Sequence, residues 1–162
     1  MPKKSGLVGI DTLYRRPGHL FRRCHQISTG MFLERCKGFK IRPLQYAVLE
    51  ALHEQGPAQQ IALSGMLALD RTTIGLTVDK LEARGLVKRV DDPADRRINV
   101  VMITDAGLKL LGQIEPIVAR MQEELLAPLS KADREQLIDI LNRLAEEHNE
   151  ASRAPLRRQS ES

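Results

Sequence analysis

The chain has 162 residues, 42% of them hydrophobic and 28% charged, which suits one well-cored domain with length left for an added element. No apolar run approaches the roughly 20 residues a membrane helix requires, and the opening Met1-Pro2-Lys3-Lys4-Ser5-Gly6 lacks a signal peptide's apolar core and cleavage site, so a cytoplasmic location is expected. Cys24 and Cys36 match no metal spacing; on a single helix they would lie about 18 Å apart, beyond disulfide reach.

Residues 1–16 show no clear periodicity and carry Gly6 and Gly9, so they read as an arm with apolar beads at Leu7, Val8, Ile10 and Leu13. Pro17 can open a helix, because the first turn leaves its missing N–H unbonded in any case. That helix is expected to run to Lys37, with Leu20, Cys24, Ile27 and Met31 on one stripe and Gly38 ending it. The same stripe predicts a buried, inert Cys24. Pro43 opens a second helix in the same way. Leu44, Ala47, Val48 and Leu52 recur at helical spacing until Gly56-Pro57 breaks it.

A short helix is predicted over 60–67, followed by another that Asp70 caps and Gly85 ends. Ile74, Val78 and Leu81 of the latter should face inward. Three compact helices in succession form the helix-turn-helix pattern. The period then changes: 86–90 and 98–103 are rich in β-branched residues around the polar turn Asp91-Asp92-Pro93-Ala94-Asp95-Arg96-Arg97. Such a hairpin behind a helix-turn-helix is a wing. Thr104 caps a helix to about residue 126, with a bend expected at Pro116. Ser130 and Asp133 form a box-like start to a last helix, to about Glu147, with Leu137, Ile140, Leu141 and Leu144 on one stripe. The tail from Ser152 has little to bury and is expected to be disordered.

The stretch from Leu67-Ala68-Leu69-Asp70-Arg71-Thr72-Thr73 to Leu81-Glu82-Ala83-Arg84-Gly85-Leu86-Val87-Lys88-Arg89 resembles the recognition helix and first wing strand of the MarR family. Asp95-Arg96-Arg97 and Thr104-Asp105-Ala106-Gly107 complete that resemblance, which is strong over 40–110. It implies a mainly α fold with a small β-wing: a winged helix-turn-helix lobe over 43–104, between dimerisation helices over 17–42 and 105–148. The arm (1–16) and a disordered tail (149–162) flank them. It further implies a homodimer astride an inverted-repeat operator in double-stranded DNA. The apolar stripes of the outer helices independently call for a partner.

A recognition helix fits the major groove by its diameter. With Ile74, Val78 and Leu81 inward, Thr72, Thr73, Leu76 and Lys80 cover the opposite side, with Thr77 and Arg84 at its edge and Arg71 at its start. Threonine hydroxyls can meet base edges, Leu76 a thymine methyl, and Lys80 and Arg84 phosphates. The bland alternative is a hydrated polar face. In the wing, Asp95 and Arg97 are two apart and can point the same way in a tight loop that also carries Arg96. The resemblance makes Arg97 the residue entering the minor groove, with Asp95 orienting it; the alternative is a surface ion pair of little energy. Residues 1–43 carry ten Lys or Arg against two acids, and 105–150 carry ten acids against five bases. A basic front and acidic back suit a polyanion, or simply an uneven solvated surface.

The resemblance also implies a small aromatic acid effector bound between dimerisation helices and lobe. His19, Arg22, Arg23 and His25 on the first long helix are its candidate contacts, Arg being suited to carboxylates; solvent exposure or packing is the plain alternative. The regulator is expected to be a repressor and not an enzyme, with no cofactor and no metal, since no nucleophile motif, phosphate loop or metal spacing occurs. Two rival readings remain: a thiol-based redox sensor acting through Cys24, and an architectural DNA binder with no effector.

Overall fold

The computed structural model describes residues 9–158. Its helices are α1 (Ile10–Tyr14), α2 (Pro17–Arg35), α3 (Pro43–Gln55), α4 (Gln60–Met66), α5 (Arg71–Ala83), α6 (Asp105–Leu126) and α7 (Lys131–Glu147). The strands β1 (Val87–Asp91) and β2 (Asn99–Ile103) pair antiparallel, with Val87 opposite Ile103 and Asp91 opposite Asn99. Ala58 adds a single bridge to the sheet: its N–H donates to the Val101 carbonyl at 3.0 Å and its carbonyl accepts from Val101 N–H at 2.8 Å. The fold is mainly α with a small β-wing.

Local chemistry accounts for the helix starts. Pro17 and Pro43 each stand in a first turn. Asp70 Oδ1 accepts from Thr73 N–H at 2.9 Å and Oδ2 from the Thr73 hydroxyl at 2.7 Å. These bonds, backbone first, hold the Asp70 carboxyl below its usual range. Its cap is therefore fully formed at neutral pH and is lost only as pH falls through that lowered value. Thr104 Oγ1 caps Gly107 N–H, and Ser130 Oγ caps Asp133 N–H while donating to the Asp133 carboxylate.

The helix ends are equally legible in the bonding. Gly85, at φ +68°, closes α5: Leu86 N–H reaches the Leu81 carbonyl at 3.0 Å and Gly85 N–H the Glu82 carbonyl at 2.8 Å. The same pair of bonds closes α4, from Leu69 N–H to Ser64 and from Ala68 N–H to Gly65, but here an alanine occupies the left-handed position, at φ +50°. A Cβ there costs roughly 1–2 kcal/mol, of which glycine's freer unfolded chain would take back about 0.4–1 kcal/mol. Ala68→Gly should therefore raise stability by about 0.5–1 kcal/mol, read as a higher urea midpoint at unchanged slope. A lower midpoint would show that the turn depends on the methyl group.

The core lies where α3, α5, the wing and α6 meet. Val48, Leu49, Leu52, Leu63, Ile74, Val78, Leu81 and Ile114 are fully buried there. Ile74, Val78 and Leu81 fall inward as their spacing predicts. On α3 the inward side is Gln45, Tyr46, Val48, Leu49 and Leu52, whereas Leu44, expected inward, is exposed. Phe32 and Tyr46 rings, 5.8 Å apart, join α2 to α3, and burial, reinforced by Glu50 and Glu115, pushes the Tyr46 hydroxyl up to about 12. An Arg35–Glu124 ion pair at 2.6 Å links α2 to α6.

Four expectations need correction. Residues 9–16 are not merely an arm, since Ile10–Tyr14 form a helical turn; Leu7 and Val8 lie outside the described residues. The first long helix stops at Arg35, before Gly38, because a 3-10 turn over Lys37–Phe39 and left-handed Lys40 redirect the chain to bury Ile41. Cys24 is exposed in the single chain, as are Leu20 and Ile27 of its stripe, because α6 and α3 meet α2 only toward its C-terminal half, where Phe32 and Cys36 are buried. Residues 149–158 of the tail pack back on the chain. Asn149 uses its side-chain amide to accept from Leu156 N–H at 2.8 Å and to donate to its carbonyl at 3.1 Å, which replaces the missing apolar content. Arg157 N–H then bonds the Gly65 carbonyl on α4 at 2.8 Å, at a point where Gly65 has no Cβ to obstruct it.

Candidate nucleic-acid interface

The chain bends by 113° between α4 and α5, within the range of a helix-turn-helix. That bend turns one side of α5 away from the core. Arg71, Thr72, Leu76 and Lys80 are exposed on it, Leu76 over 56% of its surface. Thr73 is half-buried and its hydroxyl is engaged with the Asp70 cap, so its contribution is to the helix start as much as to the exposed face.

Two of the expected contacts are elsewhere. Thr77 is buried, and its hydroxyl donates to the Thr73 carbonyl at 2.7 Å. The inward side of α5 is wider than the Ile74, Val78 and Leu81 stripe and takes Thr77 with it. Arg84 donates to the carbonyls of Lys40 at 2.8 Å and Phe39 at 3.0 Å. Its guanidinium fastens α5 to the turn after α2 and is not a free phosphate clamp.

The wing tip is built by aspartates. Asp92 Oδ1 accepts from Ala94 N–H at 2.8 Å, and Asp95 Oδ1 from Arg97 N–H at 3.0 Å, while Asp92 N–H donates to the Ile98 carbonyl at 2.7 Å and closes the loop. Asp95 thus orients Arg97 chiefly through its backbone; the guanidinium itself stands 3.9 Å away. Arg96 is exposed, and the Arg97 side chain is 94% exposed. A cation held out on a closed loop beside an exposed helix face is an arrangement that can straddle a phosphate backbone.

Sequence reasoning missed the side chain that joins these parts. Arg89 of β1 is bonded to Asp79 and Glu82 of α5 and to Gln60 of α4. The strand period carries a signal: Arg89 lies two residues from buried Val87, on the same side, and a guanidinium placed there must find acceptors.

The expected effector residues cluster less tightly. His19 is half-buried, with its ring 5.7 Å from that of Tyr14, and its Nε2 is enclosed with no hydrogen-bond partner among the described residues. Arg22, Arg23 and His25 are exposed, and Arg22 reaches Gln26 at 3.5 Å. Burial raises the Cys36 thiol above its ordinary value, which makes it a poor nucleophile. No three His, Cys, Asp or Glu side chains among the described residues gather as a metal set, and no single helix is long and apolar enough to cross a membrane.

Comparison with known proteins agrees with this geometry. The family model described as "MarR family" matches residues 41–98. The HTH-type transcriptional repressor NicR of Pseudomonas putida is 31% identical over 134 residues, which cover 83% of this chain and 85% of that protein. Among solved structures, BpsR of Bordetella bronchiseptica, described with regulation of its DNA binding by 6-hydroxynicotinic acid, superposes with a TM-score of 0.79 at 27% identity over 86% of this chain and 98% of its own. The repressor CouR of Rhodococcus jostii, bound to a 23-mer DNA duplex, also gives a TM-score of 0.79 at 27% identity, over 86% and 99% of the two chains.

Proposed function

The chain belongs to the MarR family, and from that premise we propose that it is a homodimeric repressor released from an inverted-repeat operator by a small aromatic acid. It is a DNA-binding transcriptional regulator of the winged-helix type. The observation that carries the reading is the exposed face of α5, with Arg71, Thr72, Leu76 and Lys80, beside the outstretched Arg97 of the wing. In this reading Thr72 and Leu76 meet base edges in the major groove, Arg71, Lys80 and Arg96 hold phosphates, and Arg97 enters the minor groove.

Dimerisation is supported by the outer helices. Leu20, Phe21 and Ile27 of α2 are exposed, as are Ile138, Ile140, Leu141 and Leu144 of α7, which buries no residue in the single chain. Surfaces of this kind call for a partner, and 17–42 with 105–148 are assigned to that role. Cys24 sits on the same face, so its exposure in one chain does not favour thiol chemistry. A cytoplasmic location belongs to the same reading.

The effector is read as an aromatic carboxylate. The enclosed, unbonded Nε2 of His19 wants a partner, and Arg23 lies one helical turn along from it. BpsR responds to an acid of this class. The test uses the full-length protein and the duplex it enriches from a random-sequence library, titrated with a panel of hydroxylated benzoic and nicotinic acids. One member is expected to lower DNA affinity at least tenfold, and His19→Ala should lose that response while binding the duplex normally. If every compound leaves affinity unchanged, the effector assignment is wrong; if no sequence is enriched, operator reading itself is.

A further inference from the structure

A groove helix and a wing can read one duplex only if the angle between them is fixed, because Thr72 and Leu76 on α5 and Arg97 on the wing must meet neighbouring grooves together. Backbone pairing alone does not set that angle. The α5 helix is followed directly by β1, and Gly85 lies between them. What spans the corner is the Arg89 side chain. Its Nη2 donates to Asp79 Oδ1 at 2.6 Å and to Gln60 Oε1 at 2.9 Å; Nε also reaches Gln60 Oε1, at 3.1 Å. Its Nη1 bonds the Glu82 carboxylate, whose other oxygen accepts from Arg89 N–H at 3.0 Å. Three elements (α4, α5 and β1) therefore converge on one guanidinium.

The charges matter as much as the geometry. Asp79 is 61% exposed and lies three residues from Leu76, at the border of the face assigned to DNA. A bare carboxylate there would oppose the approach of phosphates, and the Arg89 guanidinium, shared with Glu82, offsets part of its charge from behind. The Arg89 side chain is only 29% exposed, and its donors are aimed at these protein acceptors. The guanidinium presents its donors in a rigid planar fork, whereas the three donors of an ammonium rotate about a flexible stem and fix the angle less well.

We propose that Arg89 is a positioning residue for operator reading, fixing the recognition helix to the wing through Asp79, Glu82 and Gln60 while offsetting part of the charge of Asp79 beside the DNA. The role rests on the assignment of α5 to the major groove. Arg89 itself touches no DNA. Its loss therefore lowers discrimination between sequences without removing a phosphate contact.

The experiment compares full-length wild type, Arg89→Met, Arg89→Lys and Asp79→Asn. Each is titrated with the duplex that wild type enriches from a random library and with a scrambled duplex of the same length, at several salt concentrations. Thermal melting is recorded in parallel. The expected result for Arg89→Met is a fall of roughly tenfold or more in the ratio of selected to scrambled affinity. Affinity for the scrambled duplex should fall only severalfold, from the uncovered charge of Asp79, at a salt slope near wild type, with Arg89→Lys and Asp79→Asn intermediate in the ratio. An unchanged ratio in a folded variant would overturn the proposal. So would a parallel loss on both duplexes with a salt slope smaller by about 1, the mark of a direct phosphate contact. Should Arg89→Met not fold, the same ratio in the two milder variants decides the matter. A wild type that enriches no sequence overturns the groove assignment, and this role with it.

Discussion

Arg97→Ala is expected to leave a normally folded protein whose affinity for its selected duplex falls by roughly 30-fold or more. The wing loop is held by bonds that do not involve the Arg97 side chain: Asp95 Oδ1 accepts from the Arg97 backbone, Ile98 N–H donates to the Asp95 carbonyl at 2.9 Å, and Asp92 closes the turn. Truncating a side chain that is 94% exposed therefore removes little stability, and its 3.9 Å approach to Asp95 is a surface pairing worth about 0–1 kcal/mol at most. A guanidinium in the narrow minor groove is different, since the potential there is concentrated and each well-placed contact is worth roughly 1–3 kcal/mol. The proposed dimer would carry two such wings. Fluorescence anisotropy with the selected duplex at physiological salt, alongside a melting curve, separates the two effects. An affinity within twofold of wild type would remove the wing from the interface.

Gly107→Ala should cost more stability than a methyl added at any other described glycine. The start of α6 packs against the end of α5 with no room to spare. Thr104 N–H donates to the Leu86 carbonyl at 3.1 Å, the Thr104 hydroxyl donates to the Gly85 carbonyl at 2.6 Å, and the same hydroxyl caps Gly107 N–H. The α-carbon of Gly107 is thereby pressed onto the Leu86 backbone. A Cβ there would lie 2.7 Å from Ile103 Cγ1 and still closer to the Leu86 carbonyl oxygen. Neither can yield: Leu86 O is held by Thr104, and Ile103 is in register with Val87. Overpacking of this kind costs about 3 kcal/mol, or roughly 6–12 °C in melting temperature for a chain of this size. Gly112→Ala, five residues on in the same helix, is the control of opposite sign. Its Cβ would meet nothing within 4 Å, so the substitution should gain about 0.5–1 kcal/mol. Equal effects at the two sites would refute the packing argument.

This packing gives a physical reason for the spacing of Thr104 and Gly107. The threonine caps the helix and anchors it to the preceding turn, and the glycine lets the two backbones touch. The aspartates of the wing make the same point: Asp92 and Asp95 each bond a backbone N–H two residues on, so the loop Asp91 to Arg97 folds itself. The wing bonds and the Thr104 cap are short-range and stand out in the sequence, whereas the contact of Gly107 with Leu86 spans 21 residues and does not.

The residues that were misplaced share a different property. Arg84 sits at the edge of a helix face that looks free for phosphate, yet its acceptors are the carbonyls of Phe39 and Lys40, more than forty residues earlier. Thr77 lies one step from the exposed side of α5 and is buried. The tail after Ser152 has little to bury, yet Arg157 reaches α4 because Gly65 leaves space for it. Arg89 drew no attention, although it gathers three partners from two helices.

The sequence by itself determined the order of the elements from α2 onward, the caps at Asp70, Thr104 and Ser130, the inward stripe of α5 and the polar turn of the wing, because each depends on residues within a few positions of one another. Only the tertiary structure decided which polar side chains at the border of a helix remain free for DNA and which are used up by the protein. That choice depends on acceptors brought near from distant parts of the chain, and helical spacing carries no information about them. The exposed apolar faces of α2 and α7 belong to the same class, since no described residue of the chain covers them.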